Sequence, residues 1–454
     1  MISTYCSLRS HYARSPFGRK QRTAFCGTSA ELPTDSLVEE ETVPGYKATS
    51  YFPVDPGYIF NNRYEALAKI GWGTCSTVWL VRDLRRWKWQ SEHYLTLKIG
   101  NCDFQDPSRA NHEFQIERRI AHANPRHVGC HYLRTFVDHF EEQGPNGTHI
   151  CLAYESMREP LWLLLKRCRN QRFTVKLSKG YLKLLLMGLD YLHSECNIIH
   201  TGKYLKLDNI LVGFEQSSPL EDFAQAQVSN PMARKVKDGH TVYRSNNDFG
   251  HLRSFHILPK ITNFGIAHGQ KDPSFLNRHP IQPDHYRAPE VILGAGWAYS
   301  ADIWNLGLLM WNLLEARDLF TKPLDGQGKY HPDAHLAEMI ALLGPPPKDL
   351  VDREREGLKW NWEPPAHNDE GKLCSTASEF YGGPFFDENG TFLHEHLIPR
   401  DLKLEDTVTT LDGEQKEQFL LFARKMLQWL PEDRKTAKEL LEDPWLSAES
   451  TRGS

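Results

Sequence analysis

The spacing of apolar residues changes near residue 160. Before that point they come in short runs with β-branched and aromatic content, the pattern of strands. Residues 64–71 end in a glycine turn, Ser76-Thr-Val-Trp-Leu-Val and Tyr94-Leu-Thr-Leu-Lys-Ile follow, and 148–155 is a further run. Between them, residues 110–122 carry Phe114, Ile116 and Ile120, which predicts a helix. Beyond residue 160 helical spacing dominates. Leu182, Leu185, Leu186, Leu189 and Leu192 predict a helix over 177–195, and 301–315 and 414–430 read the same way. Polar stretches with Gly, Ser and Asn at 214–252 and 363–392 read as surface insertions. The pattern is α+β, a small sheet-rich lobe followed by a larger helical one.

Composition narrows the function classes. Apolar residues are 40% and charged residues 25% of 454, as in ordinary soluble globular proteins. A wholly disordered, collagen-like or membrane-embedded chain is excluded, and no apolar run reaches the roughly 18–20 residues of a membrane span. Lys plus Arg number 54 against 58 acids, a net charge of −4, so nothing points to direct nucleic-acid binding. Nine scattered cysteines without a CxxC pair fit neither a disulfide framework nor a zinc ribbon, and suit a reducing compartment. The first 30 residues hold Arg9, Arg14, Arg19, Lys20 and Arg22 with no acid before Glu31. That is the composition of a disordered basic tail or of a mitochondrial transit peptide. Residues 1–45 are therefore expected to be a disordered leader outside the fold.

Candidate chemistry begins at Gly71-Trp-Gly-Thr-Cys-Ser-Thr-Val. Glycines between two strands let backbone N–H groups approach phosphate oxygens, although a hairpin turn alone would also use glycine. Lys98 lies on the next strand, where a lone lysine is ordinarily a solvated edge residue. Glu113 lies on the following helix, with Glu117 as its rival one turn on. A strand lysine with a helix glutamate is a way to hold the α- and β-phosphates of ATP. In order there follow His200 to Asn209, Asn263-Phe264-Gly265, Tyr286-Arg-Ala-Pro-Glu290, Asp302-Ile-Trp-Asn-Leu-Gly307 and Pro431-Glu-Asp-Arg434.

With this set complete, residues 60–447 resemble the eukaryotic protein kinase family. Tyr51-Phe-Pro-Val, Phe60-Asn-Asn-Arg-Tyr64, Ser76-Thr-Val-Trp-Leu80, Ile199-His200-Thr201 and Gly296-Trp-Ala-Tyr-Ser-Ala-Asp-Ile-Trp look like fungal SR-protein-kinase-like members of the CMGC group. The resemblance implies a bilobal fold, with a leader at 1–45, a small lobe at 46–158, a large lobe at 159–447 and a tail at 448–454. Insertions fall near 214–257 and 321–400. It further implies ATP and Mg²⁺ as cofactors, a protein substrate rich in Arg/Ser, a monomer, and a cytoplasmic or nuclear location.

Carried over by motif, Ile70, Gly71, Gly73 and Val78 would cover ATP, Lys98 would bind its phosphates, and Glu113 would orient Lys98. Tyr154, Glu155 and Met157 would form the adenine-binding hinge, Lys206 would contact the γ-phosphate, and Asn209 and Asn263 would hold metal. Glu290 with Arg434 would form a buried ion pair, and Asp302 would hold the catalytic loop from below.

Two departures stand out. The family's catalytic loop reads His-Thr-Asp-Leu-Lys, but here Gly202-Lys203-Tyr204 replaces the aspartate that accepts the substrate proton. Asp208 is no obvious stand-in, because the family already has an acid there. The metal-binding Asp-Phe-Gly is Asn263-Phe264-Gly265, which keeps a carbonyl oxygen but loses the charge. Taken literally, the chain is a slow kinase or a pseudokinase acting as a nucleotide-binding scaffold. A retained intron boundary is the other explanation of the loop. Gly-Lys-Tyr can be encoded GGT-AAG-TAT, which contains the donor signal GTAAGT, and splicing there would restore Asp. Between Asn263 and Glu290 the only hydroxyl residues are Ser274 and Tyr286, and Thr201 stands where many kinases carry a phosphate-pairing arginine. Phosphate-driven switching is not expected.

Overall fold

The computed structural model describes residues 23, 25, 27–87, 89–102, 107–201, 205–255, 257–270, 272 and 275–447, with only the backbone of 107–111. Gly202, Lys203, Tyr204, Ser274, residues 1–22 and the tail lie outside the described residues. The chain forms two compact units. One comprises Met1–Gln105, Val137–Ser156 and Gln216–Leu252, the other Asp106–Phe136, Met157–Glu215 and Arg253–Ser454.

The first unit is built on an antiparallel sheet of six strands: β1 (Ile59–Phe60), β2 (Tyr64–Gly73), β3 (Ser76–Asp83), β4 (Tyr94–Gly100), β5 (Asp138–Gln143) and β6 (Thr148–Glu155). Their order is β1-β2-β3-β4-β6-β5. Val81, Leu95, Leu97, Ile99, Cys151 and Ala153 are buried and make its core. Among the described residues β1 pairs with β2 only at Tyr64 and Glu65, and most of the outer edge of β2 has no strand beside it. An open edge of this kind is normally covered or blunted.

Two segments cover it, and both depart from the sequence-based expectation. The insertion at 216–252 belongs to this unit rather than to the helical one. It folds as a helix, Ser218–Ser229, and a hairpin, Arg234–Lys237 with His240–Tyr243. The hairpin turn is Asp238-Gly239, both with positive φ, which matches the right-handed twist of paired strands. Residues 27–45, expected within the disordered leader, also pack here. Leu32 N–H donates to Arg234 O at 2.8 Å, and a short 3₁₀ helix, Glu39–Thr42, buries Glu40 and Glu41. Buried Lys69 and Lys235 pair with Glu40 and Glu41.

The second unit is mainly helical. Val175–Asp190 starts at Thr174, whose hydroxyl accepts from Leu177 N–H, and ends in a π turn, Tyr191–Glu195. Ser300–Glu315 is buried from Ala301 to Leu314. Gly307 allows its close packing, since a Cβ there would lie 2.9 Å from Leu427. The helix expected over 414–430 stops as Gly413–Arg424. Beyond it the chain turns so that Gln428 O accepts from Arg434 Nε at 3.0 Å. Small sheets, Pro259–Ile261 with Ile210–Val212 and Glu159–Pro160, and His268–Gly269 with Ile198–Ile199, place the loops that carry the motifs. Among the described residues no helix is long and apolar enough to cross a membrane.

Candidate active site

In the first unit, strand register collects the residues singled out for nucleotide binding. Gly71 is opposite Val78, Val78 opposite Lys98, and Lys98 opposite Leu152. Residues directly opposite in an antiparallel sheet share a face, so Gly71, Val78 and Lys98 form one row. The fold itself does not demand glycine at the turn. A Cβ on Gly71 would meet Val78 at 3.9 Å, and one on Gly73 would meet Ser76 Oγ at 3.5 Å, both ordinary contacts. The bare backbone there leaves room for something from outside. Ile70 is partly exposed beside it, and Tyr154 and Glu155 end β6, the first buried and the second exposed.

In the second unit Glu113 and Glu117 separate. Glu117 is buried and accepts from Phe136 N–H at 3.3 Å, a structural task. The Glu113 carboxylate is partly exposed and faces Gly265, where a built Cβ would lie 3.6 Å from Glu113 Cδ. Met157 is partly exposed in the same unit.

Both ends of the catalytic loop are tied to the helix Ser300–Glu315. Asp302 Oδ2 accepts from His200 N–H at 2.8 Å, and Asn305 Nδ2 donates to Leu205 O at 3.4 Å. His193 joins the same carboxylate at 2.9 Å. His193 sits in the π turn Tyr191–Glu195, and such turns insert a residue where a helix re-aims a side chain. His200 is fully buried, contacts Thr262 O at 3.1 Å and stacks edge-on against Phe264. Burial holds its pKa below the usual imidazole value, so the ring is neutral.

Asn209 and Asn263 come together. Asn263 Nδ2 donates to Asn209 Oδ1 at 3.2 Å, and Thr262 N–H and hydroxyl both donate to Asn209 O. Lys206 pairs with Asp208 at 3.3 Å. Glu290 and Arg434 form a fully buried bidentate pair with both contacts at 2.6 Å. Tyr286 is buried, and its hydroxyl donates to Asn312 Oδ1 at 2.8 Å. Burial raises its pKa far above the phenolic range.

The protein kinase domain matches residues 64–446. The chain is 36% identical over 435 residues to a serine/threonine protein kinase of Aspergillus fumigatus, covering 94% of this chain and 95% of the relative. It is 28% identical to the serine/threonine-protein kinase SRPK of Physarum polycephalum, covering 90% and 92%. The crystal structure of a kinase domain superposes with a TM-score of 0.58 at 24% identity, covering 88% of this chain and all of that one, which establishes the α+β kinase fold. The chain belongs to the protein kinase family, as a serine/threonine kinase of the SR-protein-kinase-like type.

Proposed function

We propose that this protein binds ATP as a kinase does but transfers phosphate very slowly, and that it works chiefly through its protein contacts. The observation that carries this reading is the hydrogen bond from Asn263 to Asn209. It spends the Asn209 side-chain oxygen on an internal donor. Mg²⁺ is usually held through one or two carboxylates and keeps several waters. Two carboxamides, one of them engaged, do not fit a tightly held Mg²⁺, and the nearby Asp208 carboxylate is paired with Lys206.

For ATP the fit is better. In the first unit Gly71, Gly73 and Val78 would cover its phosphates, Lys98 would bind them, and Ile70 and Glu155 would lie on the adenine side; Glu113 and Met157 are the candidates that the second unit offers. Asp302 positions His200 and with it the loop, while no carboxylate stands between His200 and Leu207 to accept a hydroxyl proton. Loss of a general base lowers rates about 10²–10⁴-fold, equivalent to roughly 3–5 kcal/mol of barrier. Any residual turnover falls on serines in Arg/Ser-rich protein segments, the substrate class of SR-protein-kinase-like enzymes.

The test is phosphotransfer to an Arg/Ser-repeat peptide. The chain as written should be near background, and replacing Gly202-Lys203-Tyr204 by a single aspartate should raise the rate by at least about 10². A transcript that reads Asp across codons 200–209, or ordinary turnover of about 1–100 s⁻¹ by the unaltered chain, defeats the proposal.

A further inference from the structure

The strand that leads into the glycine turn is held by parts of the chain that the kinase motifs do not include. Lys69 lies two residues before Gly71, at a register irregularity in β2. Its N–H donates to Met232 Sδ at 2.9 Å and its C=O accepts from Asn246 N–H at 2.9 Å. Both partners come from the insertion Gln216–Leu252. The Lys69 ammonium is buried, with only 2% of the side chain exposed. It donates to Glu40 Oε2 and to Tyr243 O, the latter at 3.0 Å, and Glu39 lies 3.7 Å away. Opposite Lys69, Trp79 meets the Tyr243 ring edge-on at 5.7 Å. Lys235 closes the joint from the hairpin side, reaching Glu41 at 2.6 Å and Ser36 O at 2.5 Å.

We propose that the acidic 3₁₀ helix and the insertion hairpin form a clamp on the edge of β2 that sets the conformation of the glycine turn, with Lys69 as its positioning residue. A glycine-rich turn has many accessible conformations, so a fixed strand on its N-terminal side decides how often the turn is in the phosphate-covering one. The joint is charged yet closed. It borders a small pocket of about 30 Å³ lined by Glu40, Tyr46, Tyr51, Lys69 and Tyr243, room for a water or two. Removing one partner would leave an uncompensated buried charge. The N-terminal segment thereby gains a hold on nucleotide affinity from a place that contacts no nucleotide. This inference rests on the reading of Gly71 and Gly73 as phosphate-covering.

The test uses the full chain with Lys69→Met and Glu40→Gln together, which removes both charges at once. Hydrogen–deuterium exchange over residues 70–78 should quicken in the variant. If the competent turn falls to about a tenth of its population, the Kd for ATP rises about tenfold, while adenosine, which has no phosphates, binds as before. Lys69→Arg should restore ATP affinity. Should the double variant fail to fold, the other pair is removed instead, Lys235→Met with Glu41→Gln, and measured in the same way. Unchanged exchange over 70–78 in the folded variant overturns the clamp, as does an equal loss for ATP and adenosine. A wild-type chain that binds neither compound sinks the nucleotide reading, and the exchange result then decides the clamp by itself.

Discussion

Asn263→Asp restores the residue of the family motif, and the structure predicts that it does so at a cost. In the wild type the Asn263 amide donates to Asn209 Oδ1 at 3.2 Å. An aspartate puts two oxygens at that separation with no proton between them. Both residues are partly exposed, so the loss sits at the low end of the range for an unmatched polar group, about 1 kcal/mol. For a chain of this size that corresponds to a fall in Tm of roughly 1 °C. Magnesium reverses the sign. If the new carboxylate gives a Kd near ~1 mM, then ~10 mM Mg²⁺ adds about 1.4 kcal/mol to the folded state and more than offsets the loss. The variant should therefore melt below the wild type in EDTA and at or above it in Mg²⁺, while the wild type scarcely moves between the two. Scanning fluorimetry of both proteins in both buffers reads this directly. A wild-type Mg²⁺ shift as large as the variant's would show that the two asparagines already hold the ion, and the amide-bond argument would be wrong.

Other outcomes are open to simple measurement. ATP should raise the Tm of the wild type with little Mg²⁺ dependence, and Lys98→Ala should abolish that rise; an undiminished rise removes Lys98 from the site. Stability should fall as pH drops below the ordinary imidazole pKa of about 6.5, because the unfolded chain takes up protons that buried, neutral His200 and His335 refuse. His335→Gln should flatten that slope in urea titrations at several pH values, and an unchanged slope refutes the assignment. Deleting residues 1–22 should leave the Tm unchanged, whereas deleting 1–45 should lower it by several degrees through loss of Glu40 and Glu41, and equal melting of the two truncations contradicts their packing role. A fluorescent fusion of residues 1–45 should stay diffuse, and mitochondrial signal would favour the transit-peptide reading of the basic leader over the location that the family resemblance implies.

The helices and strands were legible wherever burial is one-sided. Val175–Asp190 follows its leucines, and β2 to β4 follow their β-branched runs, because there a single period decides which side chains leave water. Glu290 and Arg434 could be paired only through the family resemblance, since 144 residues separate them. The edge of β2 was not legible. Glu40 and Glu41 meet two lysines from distant positions, and such meetings leave no local pattern. The insertion did offer one sign: Asp238-Gly239 between short β-branched runs is a hairpin signature, and it stood inside a stretch read only as polar. In the site, the choice between Glu113 and Glu117 waited on the amide of Phe136 that occupies buried Glu117.

The shoulders of the catalytic loop, His200 and Leu205, hang from a single buried helix through Asp302 and Asn305. Neither anchor lies within residues 202–204, where the family carries the residue that takes the proton. Support and chemistry are thus carried by different residues, and a lineage can lengthen or rewrite residues 202–204 without loosening the frame around them. A family scaffold of this kind is free to lose its reaction while keeping its shape. An added carboxylate between the same two anchors would enter a frame that is already standing.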